Sequence, residues 1–153
     1  RYAGGGINMV VIPHQYGFGE SQRFPPELIT ELEKKGHRVH FGTMLFHTEN
    51  FYGNRASTSL ANMLRIFCQG MKVCVEIILM AADAGCIAVG EQVIAVTGSG
   101  RGADTAVVAT ASTSTKFNEF HITEIICKPL QTRTFPPGVK PTPQQAPTGT
   151  DKK

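Results

Sequence analysis

The sequence predicts an α/β domain with a mostly parallel sheet, on three observations. Two runs, "INMVVIP" over residues 7–13 and "EQVIAVTG" over residues 91–98, are apolar nearly throughout, as in strands covered on both faces. Between them lie segments whose apolar residues recur at three and four positions, the helical period, so strands and helices alternate along the chain. The 153 residues are enough for one domain that buries roughly two thirds of the surface its unfolded form exposes.

At the amino terminus "RYAGGG" passes straight into the first apolar run, so the sequence reads as starting inside a domain. That run stops at Pro13, and "HQYGFGESQRF" is a polar, glycine-bearing loop. "PPELITELEKKG" reads as a helix: prolines at its entry, Leu28 and Leu32 four apart, two lysines that suit the negative helix end, and Gly36 to stop it. "HRVHFGT" alternates Val39 and Phe41 with polar residues, the period of a strand with one solvated face, hence an edge strand.

After the loop "TMLFHTENFYGNRAST" comes the longest element, a helix capped by Ser57, Thr58 or Ser59, running to Asp83 and stopped by Gly85. Its second half, "KVCVEIILMAADAG", is apolar nearly all round and belongs at the centre of the core. Gly70 inside this helix costs about 1 kcal/mol relative to alanine, which implies close packing against a neighbour or a bend. "TAVVATAST" is rich in β-branched residues that crowd a helix and suit a pleated backbone, so it is a strand returning beside residues 91–98. "HITEIICK" sets Ile122, Glu124 and Ile126 on one face and Thr123, Ile125 and Cys127 on the other, a last strand. Beyond Pro129, prolines at 136, 137, 141, 143 and 147 leave little to bury, so 130–153 reads as a disordered tail behind a domain of residues 1–129.

Composition narrows the function classes. The formal charge of +3 resides in the tail, where Arg133, Lys140, Lys152 and Lys153 face Asp151 and residues 1–130 are neutral. A neutral body argues against a nucleic-acid partner. Cys68, Cys74, Cys86 and Cys127 form no C-x-x-C pair and have apolar neighbours; they read as buried free thiols of a reducing compartment, with a reactive or metal-binding role as the rival. The longest apolar stretch is broken by Glu76 and Asp83 and no leader is visible, so the expectation is a cytoplasmic protein with no membrane segment.

The stretch "TGSGRGADT" bears most directly on function. It lacks the lysine of a nucleotide P-loop, and the dinucleotide fingerprint that Gly98, Gly100 and Ala103 superficially meet requires a following helix, where a strand is expected. Two readings remain level on local sequence: a loop whose backbone amides and Arg101 hold an anion, or a glycine-rich hairpin with a solvated arginine. Position favours the first, since open α/β sheets bind ligands outside the carboxyl ends of their strands. With parallel strands, His14, Gln15, Thr43, His47, Thr97, Ser99 and Arg101 converge on one crevice, with Tyr16, Phe18, Phe46, Phe51 and Tyr52 as apolar walls. Singly, His14 and His47 are more often loop donors than catalysts, and Lys72 four residues before Glu76 reads as a structural pair.

Residues 69–111, with "VCVEI", "MAADAG" and "GADTA" as the most specific pieces, closely resemble the pyruvate kinase C-terminal-domain-like family of stand-alone α/β proteins; weaker similarity covers most of residues 8–129. The resemblance implies a three-layer fold whose first strand and helix are missing from this chain. It also implies a phosphorylated small-molecule ligand, with flavin mononucleotide as cofactor. Carried over, it places Thr97, Gly98, Ser99, Gly100, Arg101 and Gly102 on the phosphate side, and His14 and Gly17 of "HQYGF" on the ring side; Thr43 joins them from the crevice argument. It does not imply pyruvate kinase chemistry, whose carboxylates and lysine lie in a separate barrel. The expectation is thus a ligand-binding module, open to homo-oligomerisation. The alternatives are a flavin-dependent or His14/His47 acid–base enzyme, or an assembly module in which the loop is only a turn.

Overall fold

The computed structural model describes residues 6–49, 53, 55–100 and 102–130. The expected disordered tail after Leu130 lies outside the described residues, as do Arg101, Phe51 and Tyr52. Strand β1 (Val10–Val11), helix α1 (Pro26–Lys34) and strand β2 (Arg38–Val39) make one βαβ unit, with Val10 beside Arg38 and Val11 beside Val39 in parallel. The Arg38 and His40 amides donate to the Met9 and Val11 carbonyls, each at 2.9 Å. The first apolar run is therefore paired over two half-buried residues, and is not the doubly covered strand expected, because β1 has β2 as its only ladder partner among the described residues.

β3 (Gln92–Thr97), β4 (Thr105–Thr110) and β5 (His121–Cys127) form a separate sheet in the order β3-β4-β5, antiparallel throughout. This corrects the expected mostly parallel sheet. Residues 98–104 are too few for the crossover of a dozen or more residues that parallel neighbours need, so the glycine turn makes a hairpin. The return of β4 beside β3, and β5 as a last strand, are as expected. Register shifts in β5 disturb its alternation, and Ile125 and Ile122 come opposite the buried Val107 and Ala109.

The single long helix expected over 57–83 is two: α2 (Ala56–Arg65) and α3 (Gln69–Asp83). Cys68 breaks it with an extended backbone, and its Sγ accepts the Met71 amide at 3.3 Å to cap α3. Ser57, Thr58 and Ser59 fall inside the first turn of α2, so they do not cap it. The close packing inferred at Gly70 is against β4: a Cβ there would lie 2.1 Å from Thr105 Oγ1.

α3 is the centre of the core, as its all-round apolar pattern predicts. Met71, Cys74 and Ile78 pack on Ala95, Val107 and Ala109 of the sheet, while Val75 and Leu79 pack on Phe46 and on Ala61 of α2. Each such fully buried aliphatic side chain is worth about 1.5–3 kcal/mol, so this helix dominates what holds the sheet and α2 together. The opposite face of β3 is open, with Ile94 and Val96 67% and 57% exposed. The expected second helical layer does not cover it, and β3 is buried on one face only. Cys68 and Cys74 are buried as expected; Cys86, just past α3, is half-buried and Cys127, at the end of the edge strand β5, is exposed. Among the described residues no helix is long and apolar enough to cross a membrane.

Candidate functional site

The loops that leave β1 and β2 meet, as the crevice argument requires. Gln15 Oε1 accepts the Met44 amide at 2.7 Å, Gln22 Nε2 donates to the His14 carbonyl at 2.8 Å, and the Tyr16 ring lies 4.9 Å from that of Phe41. His14 stacks on Phe18 with ring centres 4.8 Å apart, and Phe18 in turn meets the His47 ring edge-on at 5.6 Å. These three rings form one wall of a cavity of about 140 Å³, which Ile12, Pro13 and Met44 extend. Gly17 and Thr43 sit in the same two loops but do not line it.

The floor of the cavity is α3. Lys72 and Glu76 are one turn apart on its inward side, 1% and 2% exposed, with Lys72 Nζ 2.5 Å from Glu76 Oε2. The other carboxylate oxygen, Oε1, accepts the Phe46 amide at 2.9 Å and lies 3.5 Å from His47 Nδ1. Lys72 also stands 5.4 Å above the Phe46 ring, a cation–π contact that helps to replace lost water. Burial by itself would raise the Glu76 carboxyl, but hydrogen bonds from His47, Lys72 and the Phe46 amide, with the Lys72 charge, hold it below the usual carboxylate range. Burial lowers Lys72 against the opposing pull of Glu76. Burial also lowers His14, helped by Arg23 and His47, so its imidazole is neutral at pH 7.

The glycine turn meets the same helix from another side, and its described residues line neither this cavity nor the larger cleft beside β3. Thr97 Oγ1 donates to the Gly70 carbonyl at 2.8 Å, in contact with Cys74 Sγ at 3.3 Å. Gly98 is required by closure of the loop, since a Cβ there would fall 1.8 Å from the Gly102 carbonyl oxygen. The Ser99 amide donates to Asp104 Oδ2 at 3.0 Å, and Thr105 Oγ1 bonds Oδ1 of the same carboxylate at 2.7 Å. Gly100 and Gly102 are exposed, and Arg101 lies outside the described residues. The structure thus brings His14, Phe18 and His47 together and sets the described residues of the turn, 97–100 and 102, apart from them.

That geometry tests flavin mononucleotide. A phosphate at the turn meets the Asp104 carboxylate where the Ser99 amide should be free, and like charges at such distance repel. The 140 Å³ cavity is smaller than the roughly 300–1,000 Å³ of drug-sized ligand sites. The described residues therefore do not fit the whole cofactor, although the cavity suits an oxyanion or a ring edge.

Glu76 and Lys72 are the site residues that sequence reasoning left as a structural pair. Their signal was an i,i+4 acid–base pair on a helix apolar all round, whose desolvation calls for further partners. Among the described residues, no group of three or more histidine, cysteine or carboxylate side chains is arranged to hold a metal ion. No family model matches the chain.

Proposed function

We propose that this protein is a small-molecule-binding α/β module that takes the oxyanion of a phosphorylated ligand in the cavity at the end of β1. One observation carries the reading: a lysine 1% exposed lines a half-open cavity with Glu76 as its hydrogen-bond partner. An ammonium has three donors, so Lys72 retains donors for a ligand. The Glu76 charge is already spread over Lys72, the Phe46 amide and His47. An arriving oxyanion therefore completes the neutralisation of Lys72. His14 and Gln69 add hydrogen-bonding groups at the lining, and Phe18 supplies a flat apolar wall. Kinship with the pyruvate kinase C-terminal-like proteins, on the resemblance of residues 69–111, and a cytoplasmic location, on the free cysteines, belong to the same proposal; of flavin mononucleotide the cavity takes the phosphate or a ring edge and not the whole cofactor.

Thermal unfolding with inorganic phosphate and with flavin mononucleotide tests it. At a hundred times the dissociation constant the bound form gains about 2.7 kcal/mol, and His14→Ala, on a partly exposed loop, should weaken phosphate about tenfold, the worth of one good hydrogen bond. No stabilisation by either ligand at tens of millimolar sinks the reading. If Arg101→Ala abolishes phosphate binding and His14→Ala leaves it intact, the seat is the glycine turn.

A second reading rests on His47, whose Nδ1 faces Glu76 at 3.5 Å. A carboxylate that orients an imidazole leaves its other nitrogen to act as acid or base. Turnover that is lost in His47→Gln but kept in Thr48→Ala would favour an enzyme; no substrate is assigned.

A further inference from the structure

Beside the phosphate cavity runs a second cleft, of about 580 Å³, bounded by Ile7, Met9 and Val10 on one side and Gln92 and Ile94 on the other, with Ile78 of α3 at its floor. Among the described residues its two walls are strand edges without ladder partners there, since β1 pairs with β2 alone and β3 with β4 alone. On β1, Met9 and Val11 turn their carbonyls to β2, so Val10 and Ile12 turn amide and carbonyl towards the cleft. On β3, the Ala111 amide bonds the Glu91 carbonyl at 2.8 Å. That bond sets the phase of the ladder and leaves Gln92, Ile94 and Val96 with backbone groups on the open edge.

The two edges also point the same way. The start of β1 and the start of β3 border the cleft beside Ile78 and Ala81, late in α3. At their far ends, Ile12 and Pro13 reach Lys72 and Glu76, and Thr97 bonds Gly70, both early in α3. Each wall is thus a row of donors and acceptors repeating every two residues, roughly 6.6 Å along the strand, and both rows run parallel.

From these observations we infer that the cleft is a strand-addition site, and that its occupant is an extended aliphatic peptide segment lying parallel to β1 and β3 and hydrogen-bonded to both. A compact small molecule satisfies neither row of backbone groups, whereas an extended backbone satisfies both at once. Side-chain chemistry follows from the two faces. Inward positions rest on Ile77, Ile78 and Ala81 and take valine or isoleucine. Outward positions continue the exposed ridge of Ile94 and Val96 and take β-branched residues. Left open, such edges template aggregation, and the added strand closes two of them.

The probe is a capped heptapeptide of alternating valine and threonine between two lysines, with a version N-methylated at alternate valines as control. Amide exchange at Val10, Ile12, Ile94 and Val96, read by NMR, should be fast in the free protein and slow at least tenfold with millimolar peptide. The N-methylated peptide should have no effect. Ile94→Pro removes one edge donor without touching the β4 ladder and should weaken the peptide at least tenfold; if that variant does not fold, the N-methylated peptide decides. Unchanged exchange at millimolar peptide overturns the inference. So does protection already present in the free protein, whether at all concentrations or growing with concentration, which would make a second copy the occupant.

Discussion

The glycine turn of residues 97–105 and the Lys72–Glu76–His47 cluster approach the first half of α3 from two sides and offer opposite lessons. The turn has the appearance of a binding loop, yet its Ser99 amide is bonded to Asp104 five residues away and Gly98 is needed for closure of the loop on Gly102. The cluster has no motif at all, yet it assembles a buried charge pair, a histidine and a stacked aromatic wall around a cavity. Glycine reports that backbones come close; it does not report what lies between them. Buried charge reports more, because each such group must be met by partners wherever in the chain they come from.

The largest expected effect breaks the cluster. Lys72→Met leaves Glu76 buried without its ammonium and should cost about 3–5 kcal/mol in urea unfolding, while adding Glu76→Leu should restore most of it, since no buried charge is then left unpaired. A single variant as stable as the parent would mean that the pair is not dry, and the contrast with the turn would fail. Next comes the turn. Gly98→Ala, whose Cβ would fall 1.8 Å from the Gly102 oxygen, should cost about 1–3 kcal/mol by overpacking and leave phosphate affinity unchanged. Asp104→Ala sharpens the comparison further: a stability loss of about 1 kcal/mol is expected from the lost hydrogen bonds, again with unchanged phosphate affinity. A rise in that affinity, read by titration calorimetry, would show that the carboxylate was masking an anion seat.

The smallest effect is in pH. His14 has its folded pKa depressed below 6.5, so the unfolded chain binds more protons there. Its contribution to stability is complete above pH 6.5 and is lost as pH falls through the folded value. Glu76 is likewise depressed below 4.5, and its contribution is lost at lower pH still. Urea midpoints should therefore fall in two steps on acidification, and His14→Gln should remove the first alone. A first step that persists in that variant would assign it to another group.

Much of the architecture was legible along the chain. The burial of α3 follows from its apolar pattern, the β4 and β5 strands from their β-branched alternation, and the close packing at Gly70 from its cost inside a helix. These are properties of neighbours in sequence, governed by backbone sterics and by side-chain period. The break at Cys68 was not legible, because the apolar spacing continues through it; the Cys68 Sγ that caps the second helix lies against Thr105 of β4, 37 residues away. The return of β4 beside β3 was legible, but the sheet as a whole was misread as mostly parallel: only β1 and β2 pair in parallel, and β3 belongs to a separate antiparallel sheet. The cluster was half legible, as a polar pair without its partners. Phe46 lies 30 residues from Glu76; His14 and the open edges of β1 and β3 also meet only through the packed helix between them. Local chemistry determined which segments become strand or helix and which must be buried. Which charges share a cavity and which edges face each other was decided by tertiary packing alone, since long-range contacts follow from how whole elements bury their apolar faces.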